Sequence, residues 1–240
     1  MGDYLTINVI DTIFTILTWA IIIILFYKIF SKQLEERPKI WFAILATWFG
    51  LFSFSINIEL LRMPLKLAVL PLGVWIMYWI LKRKGRWDVY KKYAWLGFGA
   101  NFLFIATVLT SALLHDYIYP KDDVTTFISN ISEDVEIIVI HPSGEMPSLN
   151  IKQFTSNLQS MKKTEMYSER WYRSTYINDE KMERFPYLLT GTLAKSGSGL
   201  TPLIFLDADG KGLLISYGTE QVYFQSKEPI ALVKARENND

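Results

Sequence analysis

The chain has 240 residues, a net charge of +1 and no cysteine. The missing thiols exclude disulfides, thiol catalysis, iron–sulfur clusters and cysteine-ligated zinc, and two histidines are too few for a His-rich metal site. The charge balance conceals two different halves: twelve Lys and Arg against seven Asp and Glu in residues 1–120, then thirteen against seventeen in residues 121–240. Neither half has the concentrated basic face that nucleic-acid binding requires.

The first half reads as a membrane domain, 1–120, with four spans at about 10–30, 40–58, 65–81 and 93–114. The first has an uncharged centre from Ile16 to Phe26 with four consecutive isoleucines, Ile21 to Ile24. A cleaved signal peptide is disfavoured, because no basic residue precedes the apolar core and no small-residue cleavage site follows it. Pro38 suits the start of the second span. Pro71 and Gly73 fall inside the third and predict a kink. In the fourth, Gly97, Gly99, Ala100, Ser111 and Ala112 would admit close helix neighbours.

Orientation follows from Lys and Arg in the loops. Lys28, Lys32, Arg37 and Lys39 lie between spans one and two, and Lys82, Arg83, Lys84, Arg86, Lys91 and Lys92 between spans three and four. Only Arg62, Lys66 and Lys121 fall on the other side. Both termini and the second half are therefore expected outside a cell membrane. Trp79, Trp87, Tyr90, Tyr93 and Trp95 mark one interface, Tyr117 and Tyr119 the other.

The second half, 121–240, reads as an extracytoplasmic α+β domain, two helices on an antiparallel sheet. Asp122 or Asp123 caps a short helix that places Val124, Phe127, Ile128 and Ile131 on one face. Val135 to Ile140 reads as a buried strand, and Ser148 as the cap of a second helix carrying Ile151, Phe154, Leu158 and Met161. Strands are expected at Tyr167 to Tyr176, Tyr187 to Leu193, Leu203 to Leu206, Leu213 to Tyr217 and Gln221 to Phe224. Turns at Ser196-Gly-Ser-Gly199 and Asp207-Ala-Asp-Gly-Lys-Gly212 separate the later ones.

Three clusters bear on function. Asp11, Asn57, Glu59 and Arg62 lie at or near the outer ends of the spans, as a polar mouth able to hold an ion or lipid headgroup, or as a Glu59–Arg62 helical ion pair. Asp207-x-Asp209 resembles the start of a calcium loop, but Gly218 stands where the bidentate glutamate is needed, so an exposed Asp-Gly turn is the better reading. His141-Pro-Ser143-Gly-Glu145 puts a serine beside a base, but lacks a strand-to-helix elbow and reads as a turn. The basic run Lys82 to Arg86 is explained by topology, with anionic lipid binding as the alternative.

The sequence therefore predicts a non-enzymatic, multi-pass protein of the bacterial envelope, displaying a sensing or protein-interaction domain. A small transporter or transporter subunit, and a membrane-bound enzyme on lipid or cell-wall substrates, are the alternatives. No catalytic, cofactor or metal residues are assigned. The expected partners are the lipid bilayer and another envelope protein or a second copy of the chain.

Overall fold

The computed structural model describes residues 7–33, 37–60, 63–144, 147–149, 151–165, 176–177, 180–181, 183–230 and 232–233. The chain divides into two units: Ile10–Leu114, and Met1–Val9 together with His115–Asp240.

The first unit contains two long helices. α1 (Val9–Lys32) has 24 residues and α4 (Trp87–Ile118) has 32, about 36 and 48 Å at the ordinary helical rise. Asp11 in the first turn of α1 and Lys32 in its last complement the helix dipole. Both helices are long and apolar enough to cross a membrane. A core helix of the same composition would be mostly buried, yet the apolar window of each is only 17% buried. Ile16 and Ile23, for example, are 62% and 63% exposed. Where polar groups do occur inside, they pair: the hydroxyls of Thr18 and Thr107 lie against each other and 2.9 Å from Phe14 O and Leu103 O, one turn back, so that two protons are shared among three acceptor contacts.

The second and third predicted spans are not continuous helices. The chain folds instead into α2 (Ile40–Leu51), a hairpin of β1 (Phe54–Leu60) and β2 (Met63–Leu70), and α3 (Leu72–Arg83). Each of these helices has 12 residues, about 18 Å against a hydrocarbon thickness of about 30 Å. The expected four-span bundle is thus replaced by two spanning-length helices and a helix–hairpin–helix insert. The physical reason is a change of period. From Phe54 to Leu60 apolar and polar residues alternate, which is the pattern of a strand rather than of a helix. Pro71 does not kink a span but stands at the cap position of α3, where its missing N–H costs nothing.

The basic ends of these elements meet. Gln33 Nε2 donates to Val89 O at 3.0 Å, and Tyr93 OH donates to Gln33 Oε1 at 3.2 Å. Tyr90 OH accepts from Lys39 N and from Arg86 Nη2, both at 3.1 Å. Tyr90 and Tyr93 are therefore buried packing residues and not part of an interfacial belt. Around them Ala43, Ala46, Val74, Met77, Leu81 and Ala94 form the core of this unit.

The second unit is an α+β fold. α5 (Val124–Phe127) is capped by Asp123, whose carboxylate accepts from Thr125 N at 2.9 Å. There follow β3 (Asn130–Val139), β4 (Pro147–Ser148), α6 (Ile151–Leu158), β5 (Lys162–Thr164), β6 (Tyr176–Ile177), β7 (Glu180–Lys181), β8 (Tyr187–Leu193), β9 (Leu203–Leu206), β10 (Gly212–Tyr217), β11 (Glu220–Gln225) and β12 (Leu232–Val233). Six of them form one antiparallel sheet in the order β3-β8-β9-β10-β11-β5. Ser148 belongs to β4, and α6 begins at Ile151. The strand expected from Tyr167 to Tyr176 lies outside the described residues except for Tyr176, which begins β6.

One sheet face is the core. Val124, Phe127, Phe154 and Leu158 from the helices meet Tyr187, Leu189, Ile204, Leu206, Leu213, Ile215, Val222 and Phe224 from the strands. Burying each of the three phenylalanines stabilises the fold by roughly 1.5–3 kcal/mol. The other face carries a cross-strand row that runs through consecutive register pairs: Ile138, Leu188, Phe205, Leu214, Tyr223 and Thr164.

The loop between β8 and β9 holds residues from both ends of the chain segment that leaves this unit. Asn8 bridges to Ser198, and Val9 N donates to Gly197 O at 3.1 Å. Tyr119 OH donates to Ser196 O at 3.0 Å, and His115 Nε2 lies 2.8 Å from Ser198 O. Ser198 O can only accept, so Nε2 carries the proton. Gly197 has φ +80°, and a Cβ there would stand 2.9 Å from the Tyr119 hydroxyl. These contacts give an expected result. A fragment starting at His115 melts several degrees above one starting at Asp122, because the shorter one loses Tyr119, which is 7% exposed, and its hydrogen bond. Equal melting temperatures in scanning calorimetry would show that the segment before Asp122 contributes nothing to this unit.

Candidate functional site

The residues proposed for a polar mouth divide between elements. Asp11 lies in the first turn of α1. Asn57 and Glu59 lie on β1, with Asn57 opposite Lys66 and Glu59 opposite Pro64. Arg62 lies outside the described residues. Glu59 sits on a strand rather than on a helix. The structure does bring Asn57, Glu59, Ser55 and Lys66 onto one face of the hairpin by alternation.

The 141–145 stretch is a turn as far as Gly144, where Gly144 N donates to His141 O at 2.9 Å, and Glu145 lies outside the described residues. Its serine does contact its histidine: Ser143 Oγ lies 2.8 Å from His141 Nδ1, which also accepts from Ser143 N at 3.2 Å. With Nδ1 an acceptor, the neutral ring carries its proton on Nε2. Glu183 N in turn donates to Ser143 Oγ at 3.1 Å. The pair thus ties the end of β3 to the segment entering β8.

The Asp-Gly turn forms as expected. Asp207 N donates to Gly212 O at 2.8 Å, Gly210 N to Asp207 O at 2.9 Å, and Gly210 has φ +70°. The expectation that both carboxylates are exposed is wrong for Asp207, which is 7% exposed. Its Oδ2 accepts from Tyr223 OH at 2.9 Å and from Arg184 Nε at 3.3 Å. Arg184 Nη2 also donates to Tyr223 OH at 3.2 Å, and Ala208 N donates to Arg184 O at 2.8 Å. Asp209 points outward and accepts from Lys211 N at 2.8 Å. The Asp207 carboxylate that a calcium loop would need is therefore already held by a cation and a phenol.

This Arg184–Asp207–Tyr223 cluster is the buried polar centre of the domain. Burial pushes the Asp207 carboxyl above the usual carboxylate range, helped by the charge of Asp209, while Tyr223 and Arg184 pull the other way. Burial, then the adjacent Asp207 carboxylate, pushes Tyr223 up to about 12. Burial works against the Arg184 charge, but Tyr223 and Asp207 outweigh it and the guanidinium is held more firmly charged. The guanidinium also lies over the rings of Tyr223 and Phe185, at 5.1 and 5.4 Å. Gly212 makes room for the cluster, since a Cβ there would stand 2.1 Å from the Tyr223 hydroxyl. Tyr223 also lines an open groove of about 730 Å³ at the β5 edge, with Lys163, Glu165, Leu214, Gln221 and Val222.

A second, more exposed cluster lies at the far end of the same hairpin. Lys121 Nζ stands 3.0 and 3.1 Å from the Glu220 carboxylate oxygens, and Tyr217 OH donates to Glu220 Oε2 at 2.9 Å. Burial, reinforced by Glu220, raises the Tyr217 phenol well above its ordinary value.

Arg184 and Tyr223 are the site residues that sequence reasoning missed. The one available signal is an arginine directly before the apolar run Phe185-Pro-Tyr187, where a charge needs a partner. No protein-family model matches the chain, and it has no significant match among characterised proteins or solved structures.

Proposed function

We propose that the protein is a non-enzymatic, multi-pass component of a bacterial cell membrane, in which α1 and α4 cross the bilayer and the α+β domain works outside the cell as a sensing or protein-interaction module. The supporting observation is the second face of the six-stranded sheet. Ile138, Leu188, Phe205 and Leu214 form an apolar row there, and Ile138 is 41% exposed at one end of it. The neighbouring Leu203 is 57% exposed. An apolar, half-exposed sheet face is the kind of surface that associates with another protein. Tyr223 belongs to the same cross-strand row, and its hydrogen bond to Asp207 holds the β9–β10 turn at the end of β9. The orientation is supported by the meeting of the basic helix ends through Gln33, Lys39, Arg86 and Tyr90.

One experiment tests location and role together, and the absence of native cysteine makes it clean. Single cysteines at Leu203 and Gly85 are treated in intact cells with a membrane-impermeant maleimide carrying a photo-crosslinker. The Leu203 variant is expected to label and, on illumination, to give a discrete protein adduct that Ile138→Asp abolishes. Gly85 is expected to stay unlabelled. Labelling at Gly85 with protection at Leu203 inverts the orientation, and labelling at Leu203 without an adduct removes the interaction reading.

A further inference from the structure

Resting on the membrane reading, we propose that the β1–β2 hairpin is a lipid-docking element, lying flat in the leaflet away from the basic helix ends with one face among the acyl chains and the other among the headgroups. Three observations carry this. The first is position. α2 and α3 lie against each other at the hairpin end, where Gly73 N donates to Phe52 O at 2.8 Å and a Cβ on Gly73 would stand 1.6 Å from Phe49 O. Their opposite ends carry Lys39, and Lys82 with Arg83. Helices of about 18 Å starting at one boundary bring the hairpin toward the other one without reaching it as helix.

The second observation is two-sidedness. Ile56 is opposite Leu67 and Ile58 opposite Leu65, while Asn57 is opposite Lys66 and Ser55 opposite Ala68. Alternation puts the first set on one face and the second on the other. On this face Ile56 and Leu60 are 44% and 45% exposed while Leu65 is buried at 5%, so much of the apolar face is not absorbed by a protein core. The adjoining helices α2 and α3 also expose large apolar side chains, with Trp48 and Trp75 71% and 52% exposed. Lys66 and Glu59 on the opposite face of the hairpin are charged groups that need water or zwitterionic headgroups around them, which the interface supplies and the acyl region does not.

The third observation is the backbone. Among the described residues β1 and β2 pair only with each other. Each strand therefore has an outer edge of N–H and C=O groups without strand partners, which hydrocarbon cannot satisfy and water or headgroups can. That rules out a hairpin standing across the acyl region in contact with lipid and leaves one lying in the interface, its apolar face sunk by about 5–10 Å.

The test uses the full chain, purified and reconstituted in phosphatidylcholine–phosphatidylglycerol vesicles. An environment-sensitive fluorophore is placed on a single cysteine at Ile56, Leu67, Asn57 or Lys66, with Ile16 of α1 as a control. Spin-labelled lipids carry the quencher either on the upper acyl chain, just below the headgroup region, or deep in the acyl chain. The shallow quencher is expected to act about threefold more strongly on Ile56 and Leu67 than on Asn57 and Lys66, reflecting that shallow insertion. The deep quencher is expected to act on Ile16. No quenching at Ile16 removes the membrane reading itself. Quenching at Ile16 with equal responses at the four hairpin sites overturns the hairpin proposal alone. Deep quenching at both Ile56 and Asn57 overturns it by showing a strand that crosses the bilayer. Unquenched hairpin probes with Ile56→Cys disulfides between copies overturn it in favour of a second chain covering the hairpin.

Discussion

Replacing Arg184 with methionine is expected to cost about 3 kcal/mol of stability at neutral pH, and most of that cost is expected to vanish on acidification. Removing one partner of a buried ion pair costs roughly 3–5 kcal/mol, because the other charge stays buried without compensation. The lower end applies here, since the Arg184 side chain is 24% exposed and admits some water, whereas that of Asp207 is 10% exposed. Asp207→Asn is expected to cost no more than about 1 kcal/mol. The amide oxygen still accepts from Tyr223 and Arg184, and the Arg184 side chain, 24% exposed, keeps access to water. The sign of the pH dependence follows from that same shift. An acid whose folded value lies above its unfolded one contributes stability below the ordinary carboxylate range, and this is lost as pH rises through the folded value. Without Arg184 a cation that pulls the Asp207 value down is gone, so the folded value rises further. The cost of Arg184→Met is therefore greatest at neutral pH and shrinks as the pH falls toward about 4. Thermal melts across that range, on the single variants and on the Arg184→Met/Asp207→Asn double variant, check this. The double variant should lose the pH dependence. A cost that stays the same at every pH would show that Asp207 does not need the guanidinium.

The same cluster shows where sequence reading stops. The Asp-Gly turn was legible because its signal is local: the two acids and two glycines fall within six residues between apolar runs. The burial of Asp207 was not, because Arg184 and Tyr223 are 23 and 16 residues away. The antiparallel pairing of β8 with β9 brings Arg184 to Asp207, and that of β10 with β9 and β11 brings Tyr223 there. Leu203 to Leu206 was found with its true ends, since a short apolar run between turn residues has no competing helical reading. Asp123, one of two candidate caps, is the one that bonds Thr125 N.

The membrane half failed for a different reason. Averaged hydropathy is blind to period, so 40–58 and 65–81 looked like spans although their apolar residues change from helical to alternating spacing near Phe54. Two signals were present and outweighed: the Ser-Phe-Ser-Ile-Asn-Ile-Glu alternation, and a proline where α3 begins. The polar residues Asn57 and Glu59 then change meaning. In a span they are costly intramembrane groups. On a hairpin they are the ordinary polar side of an amphipathic sheet.

Gly97→Ala is expected to destabilise the helical unit by about 3 kcal/mol, while Gly99→Ala, two residues along the same helix, leaves it unchanged or adds up to about 1 kcal/mol. Both glycines were candidates for close helix packing by composition, and the geometry separates them. A Cβ on Gly97 would stand 1.9 Å from Thr47 O and 2.9 Å from Gly50 Cα, whereas one on Gly99 meets nothing within 4 Å. Gly50 is the reciprocal half of the contact, with a Cβ 2.1 Å from Ala94 O. The obstacles are backbone atoms of α2 and α4, which no side-chain rotation can move aside, so the helices must separate. Separation opens the packing of Ala43, Ala46, Tyr93 and Ala94 and strains the Asn101 Nδ2 to Leu51 O hydrogen bond of 3.3 Å. Such close approach is the main source of helix association where the surroundings are as apolar as the helices themselves. Gly50→Ala is expected to cost as much as Gly97→Ala. The double variant should cost less than the sum, because the first methyl already forces the separation that admits the second. Melting temperatures of the detergent-solubilised variants give the comparison. A Gly97→Ala protein as stable as Gly99→Ala would show that α2 and α4 do not cross at these glycines.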